Sequence, residues 1–244
     1  MTILEAKGLV KVYNRRRVVN GISLRVEEGE IIGLLGANGA GKTTCFKMIC
    51  GMLDPDDGQV FLKDQDVTGW PMYKRARDCG MGYLAQDSSV FSKLSVEQNL
   101  NMMIELQDIR GRKKRELCNK LLDRFSISEI RKTKAGKVSG GERRRLEIAR
   151  CLVANPEIVM LDEPFSGVDP VTVQSIQDTI QLLRKEGISI LITDHAVREM
   201  LEIVDRGYVV SDGDVLFHGT PDEIWKNREV REKYLGSMDQ RMSA

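Results

Sequence analysis

The chain has 244 residues, of which 41% are hydrophobic and 30% charged, and its formal net charge is +1. That length buries a sizeable core as one large domain with a sub-domain, and the near-neutral balance provides no global field for nucleic acid or an anionic membrane. Five scattered cysteines with no C-x-x-C pair argue for reduced thiols over a zinc site or disulfide framework, and no apolar run approaches the ~20 residues that cross a bilayer.

The first residues show no basic segment followed by an apolar run, so no secretory signal is expected. Strands are predicted at Ile3 to Ala6, Ile22 to Val26 and Ile31 to Leu35, parted by charged or glycine turns. A glycine-rich loop follows, then a helical run from Lys42 to Cys50. Val60 to Leu62 and Met81 to Leu84 read as further strands. From about Val96 to Ala154 the apolar spacing turns helical, which looks like an insertion between two core strands. Ile158 to Leu161 is a continuous apolar run, as a strand covered on both faces requires. Helices are expected at Ile176 to Lys185 and Val197 to Ile203, with a strand at Ile188 to Thr193 between them. Val209, Val210, Val215 and Phe217 sit on strands around the Asp212-Gly213 turn, and Thr220-Pro221 starts a helix. Strands alternating with helices predict an α/β fold.

Gly36-Ala37-Asn38-Gly39-Ala40-Gly41-Lys42-Thr43 matches the phosphate-binding loop pattern in full, between a strand and a helix. Its glycines let backbone N–H groups face phosphate oxygens, and the helix N-terminus adds partial positive charge. Lys42 is expected at the β- and γ-phosphates and the Thr43 hydroxyl on Mg²⁺, with Thr44 a candidate for the α-phosphate. The run Ile158 to Leu161 ends in Asp162 and Glu163, at the strand end where α/β ligands sit. Asp162 is the expected Mg²⁺ carboxylate, and Glu163 the general base or water-orienting group.

With these in place, Val138-Ser139-Gly140-Gly141-Glu142 resembles the signature of the ATP-binding-cassette (ABC) ATPases, usually written LSGGQ. The resemblance covers essentially the whole chain. It implies a P-loop (RecA-like) ABC ATPase core with an N-terminal antiparallel β sub-domain and an inserted α-helical sub-domain. Residues 88–153 would be the helical sub-domain, and 1–87 with 154–244 the nucleotide-binding core. It also implies ATP and Mg²⁺ as ligands. By the same resemblance, Tyr13 stacks on adenine, and Gln86 senses Mg²⁺ and the attacking water. Ser139, Gly140 and Gly141 cap the γ-phosphate of a partner chain, Asp169 lies in the loop that joins the two nucleotide sites, and His195 contacts the γ-phosphate. Val138 and Glu142 depart from the usual signature, and Ala85 stands where a proline usually precedes Gln86.

Gly140 to Arg145, Phe165 to Pro170 and Leu191 to Glu199 are similar to the ATPases of lipopolysaccharide exporters; importers of branched-chain amino acids share much of the C-terminal pattern. The export resemblance implies a homodimer beneath two transmembrane permease subunits, peripheral on the cytoplasmic face of an inner membrane, with no nucleic acid. The segment after Gln86 would meet the permease. Val90, Phe91, Leu94 and Val96 are either contacts there or sub-domain core, with Phe91 the expected contact. The basic cluster Arg110 to Arg115 reads as a solvated helix face.

Overall fold

The structure, a computed structural model, describes residues 1–236. Two long strands open it, β1 (Thr2–Tyr13) and β2 (Arg16–Glu27). Asn14 and Arg15 turn between them with φ of 49° and 67°. Two successive left-handed residues match the right-handed twist of the strands they join. Both strands outrun the apolar stretches predicted for them, because alternate residues face away from the core: Leu4 and Ala6 are buried, whereas Lys7 is exposed.

Next come β3 (Ile31–Gly36), α1 (Lys42–Cys50), β4 (Asp57–Leu62), β5 (Gln65–Asp66), α2 (Met72–Cys79) and β6 (Met81–Leu84). The helices α3 (Val96–Glu105), α4 (Gly111–Arg124) and α5 (Gly140–Cys151) lie between β6 and β7 (Ile158–Asp162). The remainder is α6 (Pro170–Lys185), β8 (Ser189–Thr193), α7 (Val197–Leu201), β9 (Arg206–Ser211), β10 (Asp214–Gly219), α8 (Pro221–Lys226) and α9 (Arg228–Val230). Helix α6 starts six residues earlier than its apolar spacing predicts. Asp169 caps it and Pro170 opens it, while the first turn exposes Val171.

The strands form two sheets, an antiparallel one in the order β2-β1-β4-β5 and a six-stranded one in the order β10-β9-β3-β8-β7-β6. The second is parallel except where β10 pairs with β9. Its inner strands β3, β7 and β8 are buried at every position, as a sheet covered on both faces demands. Alternation divides their side chains between two cores. Ile31, Leu35, Val159, Leu161, Ile190 and Ile192 pack with α5, α6 and α7. Ile32, Leu34, Ile158, Met160 and Leu191 pack with α1 and the antiparallel sheet. The core on the α5 side runs without a break into α3 and α4 through Leu100, Ile104 and Leu122.

Helix α1 is anchored at its far end by an unexpected group. Arg75 is fully buried and donates to the carbonyls of Met48, Ile49, Thr68 and Trp70 at 2.6–3.0 Å. A guanidinium on the last carbonyls of a helix satisfies acceptors left over at its C-terminus and opposes the negative end of its dipole. Gly51 makes room: a Cβ there would lie 2.6 Å from Arg75 Nε.

Candidate functional site

The strand order β3-β8-β7-β6 places four sequence-distant segments side by side at the carboxyl ends of parallel strands. These are the glycine loop after β3, Asp194-His195 after β8, Asp162-Glu163 at the end of β7, and Ala85-Gln86 after β6. Such a row is where open α/β sheets bind ligands.

The glycine loop is held tightly at both ends. Gly36 has φ of 146°, and a Cβ there would stand 2.2 Å from the Val210 carbonyl oxygen; Gly41, with φ of 107°, would meet the Val18 oxygen at 2.6 Å. Ala37, Asn38 and Gly39 are exposed, whereas Ala40 is buried. Lys42 is only 7% exposed, and its ammonium donates to the Gly36 and Ala37 carbonyls at 2.6 and 3.0 Å. Burial pulls its pKa down, with the Glu163 and Asp194 carboxylates acting the other way. The ammonium is thus folded into the concavity of its own loop. Thr43 is exposed and Thr44 half-buried, both in the first turn of α1.

Two of the predicted residues converge on the carboxylate of a third. Glu163 Oε2 accepts a hydrogen bond from Gln86 Nε2 at 2.7 Å and lies 3.6 Å from His195 Nδ1. Glu163 itself has φ of 45°, a left-handed conformation that costs a non-glycine residue energy. Its N–H donates to the Thr193 carbonyl at 2.7 Å, which pins the strained residue to β8. Asp162 is 6% exposed, and burial raises its pKa. Its Oδ2 accepts from the Tyr83 hydroxyl at 3.2 Å. The donors Thr43, Asp162 and Gln86 are hydroxyl, carboxylate and amide oxygens, a hard set that fits Mg²⁺. The Gln86 amide nitrogen is spent on Glu163, leaving its oxygen for a cation.

Asp194, next to His195, has no exposure. Its two oxygens accept from Phe165 N at 2.8 Å and Ala196 N at 2.9 Å, clasping the segments after β7 and β8 together. Sequence reading assigned it no role. An Asp at a strand end gives no sign of which remote N–H it will find.

Ser139, Gly140 and Gly141 stand apart from this row. Ser139 caps α5 in a capping box, its hydroxyl and N–H both bonded to Glu142 Oε2 at 2.8 Å. The departure from the usual signature at Glu142 therefore completes the cap, and helix-end hydrogen bonds hold its pKa low. Among the described residues, no hydrogen bond joins Ser139–Gly141 to the glycine loop. Gly141 lies against Thr172 of α6, whose hydroxyl bonds the capping carboxylate of Asp169 at 2.6 Å. Tyr13 ends β1, is 45% exposed, and has Lys11 Nζ 5.9 Å from its ring centre.

Beyond β6 the chain is fixed to α3 and α5 by buried polar groups to which sequence reading gave no role. Arg144 donates to the Ala85 carbonyl at 3.1 Å and to Glu147 at 2.9 Å, and Glu147 accepts from Ser88 at 2.6 Å. Arg150 donates to the Ser89 carbonyl at 2.6 Å and lies 5.1 Å from the centre of the Phe91 ring. Buried Asn99 bonds both the N–H and the carbonyl of Phe91, at 2.9 and 3.1 Å. Phe91 is held by its backbone with its ring 41% exposed, Val90 and Leu94 are half-buried, and Val96 is core with no exposure. Arg144 and Glu147 form a buried ion pair, so Glu147→Ala strands a guanidinium and should cost about 3–5 kcal/mol. Calorimetry should show this as a melting temperature lower by roughly 10 °C. A melt within a degree or two of the parent would mean the pair contributes little.

The basic cluster is the solvated face expected of it, with Arg112 paired to Glu116 and Lys114 to Glu105. His218 stacks on Tyr208 with ring centres 5.5 Å apart, away from the row. Among the described residues, no helix is long and apolar enough to cross a membrane.

Comparisons with known proteins agree with this geometry. The ABC transporter family model matches residues 19–166. An uncharacterized ABC transporter ATP-binding protein of Rhizobium meliloti is 51% identical over 96% of this chain and 86% of its own. The lipopolysaccharide export system ATP-binding protein LptB of Escherichia coli K12 is 48% identical over 97% of this chain and 98% of its own. Among solved structures, an ATP-binding cassette of an ABC transporter in its ADP conformation superimposes with a TM-score of 0.86 at 27% identity. That match covers 97% of this chain and all of the other. A loop shaped for phosphates, an acidic pair beside it and these relatives lead to one conclusion: the chain belongs to the ABC ATPase family, as an ATP-binding subunit that couples ATP hydrolysis to transport.

Proposed function

We propose that this chain is the ATPase of a lipopolysaccharide exporter, working as a homodimer on the cytoplasmic face of an inner membrane beneath two transmembrane permease subunits. The observation that carries the chemistry is the convergence of Gln86 and His195 on Glu163, beside the lysine of the glycine loop. The observation that favours export is 48% identity to an export-system ATPase over nearly the full length of both chains.

In this reading Tyr13 stacks on adenine, and residues 36–44 wrap the phosphates, with Lys42 turning from its own carbonyls to the β- and γ-oxygens. Thr43, Asp162 and Gln86 would hold Mg²⁺, which when bound would supply charge neutralisation to the phosphates. Glu163 takes a proton from the water that attacks the γ-phosphorus in line, while Gln86 and His195 orient that carboxylate and the transferred group. Ser139–Gly141 and Asp169 of one chain complete the site of the other, two chains packing head to tail. A γ-phosphate gripped from both sides joins the chains; its loss on hydrolysis lets them part, and that motion drives the permease. Residues 88–153 act as the sub-domain that carries the signature and the permease contact, and 1–87 with 154–244 as the nucleotide-binding core. Phe91, exposed and locked at its backbone, is the residue presented to the permease.

The test is to purify the tagged chain from detergent-solubilised membranes and identify its companions by mass spectrometry. Two lipopolysaccharide-exporter membrane subunits are expected. An amino-acid permease with a second, different cassette would transfer the chain to import. No membrane companion would remove the export reading.

A further inference from the structure

We infer that Tyr83 is a positioning residue for the Mg²⁺ carboxylate, acting through Asp162. The inference rests on the reading of Asp162 just given. Tyr83 and Gln86 leave the same strand end, and each reaches one member of the acidic pair on the neighbouring strand. The Tyr83 hydroxyl bonds Asp162 Oδ2 at 3.2 Å, and the Gln86 amide bonds Glu163 Oε2 at 2.7 Å. The chain at and just after the end of β6 therefore hooks both carboxylates at the end of β7.

Among the described residues, Tyr83 is the one hydrogen-bond partner of the Asp162 side chain. A carboxylate this buried, with one oxygen held by a phenol, has a fixed plane and presents its other oxygen, Oδ1, to a cation or its water. Without the phenol the group is free to turn about its last bond, and both oxygens compete for the same partners. The ring that delivers the hydroxyl is itself braced. Tyr83 is half-buried, its ring centre 6.4 Å from that of Phe46 on α1, and its backbone is in register with Met160, two residues before Asp162.

The test compares Tyr83→Phe, Asp162→Asn and the double variant in the full chain. Mn²⁺ replaces Mg²⁺ and its binding is read by electron paramagnetic resonance in the presence of ADP, while nucleotide affinity is measured separately in EDTA. Tyr83→Phe keeps the ring against Phe46 and removes the hydrogen bond alone. It should weaken Mn²⁺ binding about fivefold, the size of one ordinary hydrogen bond, with nucleotide affinity in EDTA unchanged. In the Asp162→Asn background the same change should do little more, because the two residues act as one unit. Unaltered Mn²⁺ binding in Tyr83→Phe, with Asp162→Asn weakened, overturns the role of Tyr83 and leaves Asp162 as the ligand. Unaltered binding in Asp162→Asn overturns both. A parallel fall in EDTA affinity and melting temperature would mark Tyr83 as merely structural.

Discussion

Replacing Glu163 by Gln is expected to lower ATP turnover by at least ~10²-fold while nucleotide binding is kept, the loss typical of removing a positioned general base. The change is nearly isosteric, so the left-handed backbone at Glu163 and its bond to Thr193 have no reason to move. What disappears is the negative oxygen on which Gln86 and His195 converge. An amide there can still hold a water but cannot take its proton. ATP should then persist on the protein, and with it the contact that joins two chains. Size-exclusion chromatography with ATP and Mg²⁺ should show a long-lived dimer for Glu163→Gln and a transient one for the parent. Phosphate release at the parental rate would eliminate Glu163 as the base, and a variant that hydrolyses slowly without dimerising would separate the chemistry from the association.

Lys42→Ala should act one step earlier, on binding itself. In the proposed reading the ammonium turns to make charge-assisted hydrogen bonds to phosphate oxygens, each worth about 1.5–3 kcal/mol, so nucleotide affinity should fall roughly 10- to 150-fold. Lys42 is only 7% exposed, so its ammonium is already partly stripped of water before an anion arrives. The cost to the fold should be small, since the bonds lost are those to the Gly36 and Ala37 carbonyls at the mouth of the loop. Equilibrium dialysis against labelled ATP, with a thermal melt as control, separates the two effects. Lys42→Arg is expected to rescue poorly, because a planar fork does not fit a cradle shaped for a compact charge. Affinity unchanged in Lys42→Ala would mean the loop holds phosphate by its backbone alone.

Much of this was legible in the sequence, for local reasons. The glycine loop and its flanks follow from backbone chemistry that tolerates few residues: Gly36 and Gly41 sit where a Cβ would strike a carbonyl oxygen. The buried parallel strands are written as unbroken apolar runs, and helix α1 begins and ends where its sequence said it would. The acidic pair, the histidine and the glutamine were placed at strand ends by adjacency to those runs. Strand length was less legible. Residues of β1 and β2 that face away from the core, such as Lys7, Arg17, Ser23 and Arg25, carry no apolar mark.

Resemblance to the ABC ATPases supplied Gln86 and His195; composition and spacing by themselves determined the α/β class of fold, the phosphate loop and the acidic pair. Each of those depends on interactions within a few residues of chain. Tertiary structure alone decided which of them meet. The strand order set Gln86 and His195 on the same oxygen of Glu163, and pairing of β6 with β7 gave Asp162 its phenol. It also decided that Arg75 closes the far end of α1 from inside the core, and that Arg144 and Glu147 tie the chain after β6 to α5. A long polar side chain reads as surface in any sequence. It becomes structural only where folding brings it acceptors that water can no longer satisfy.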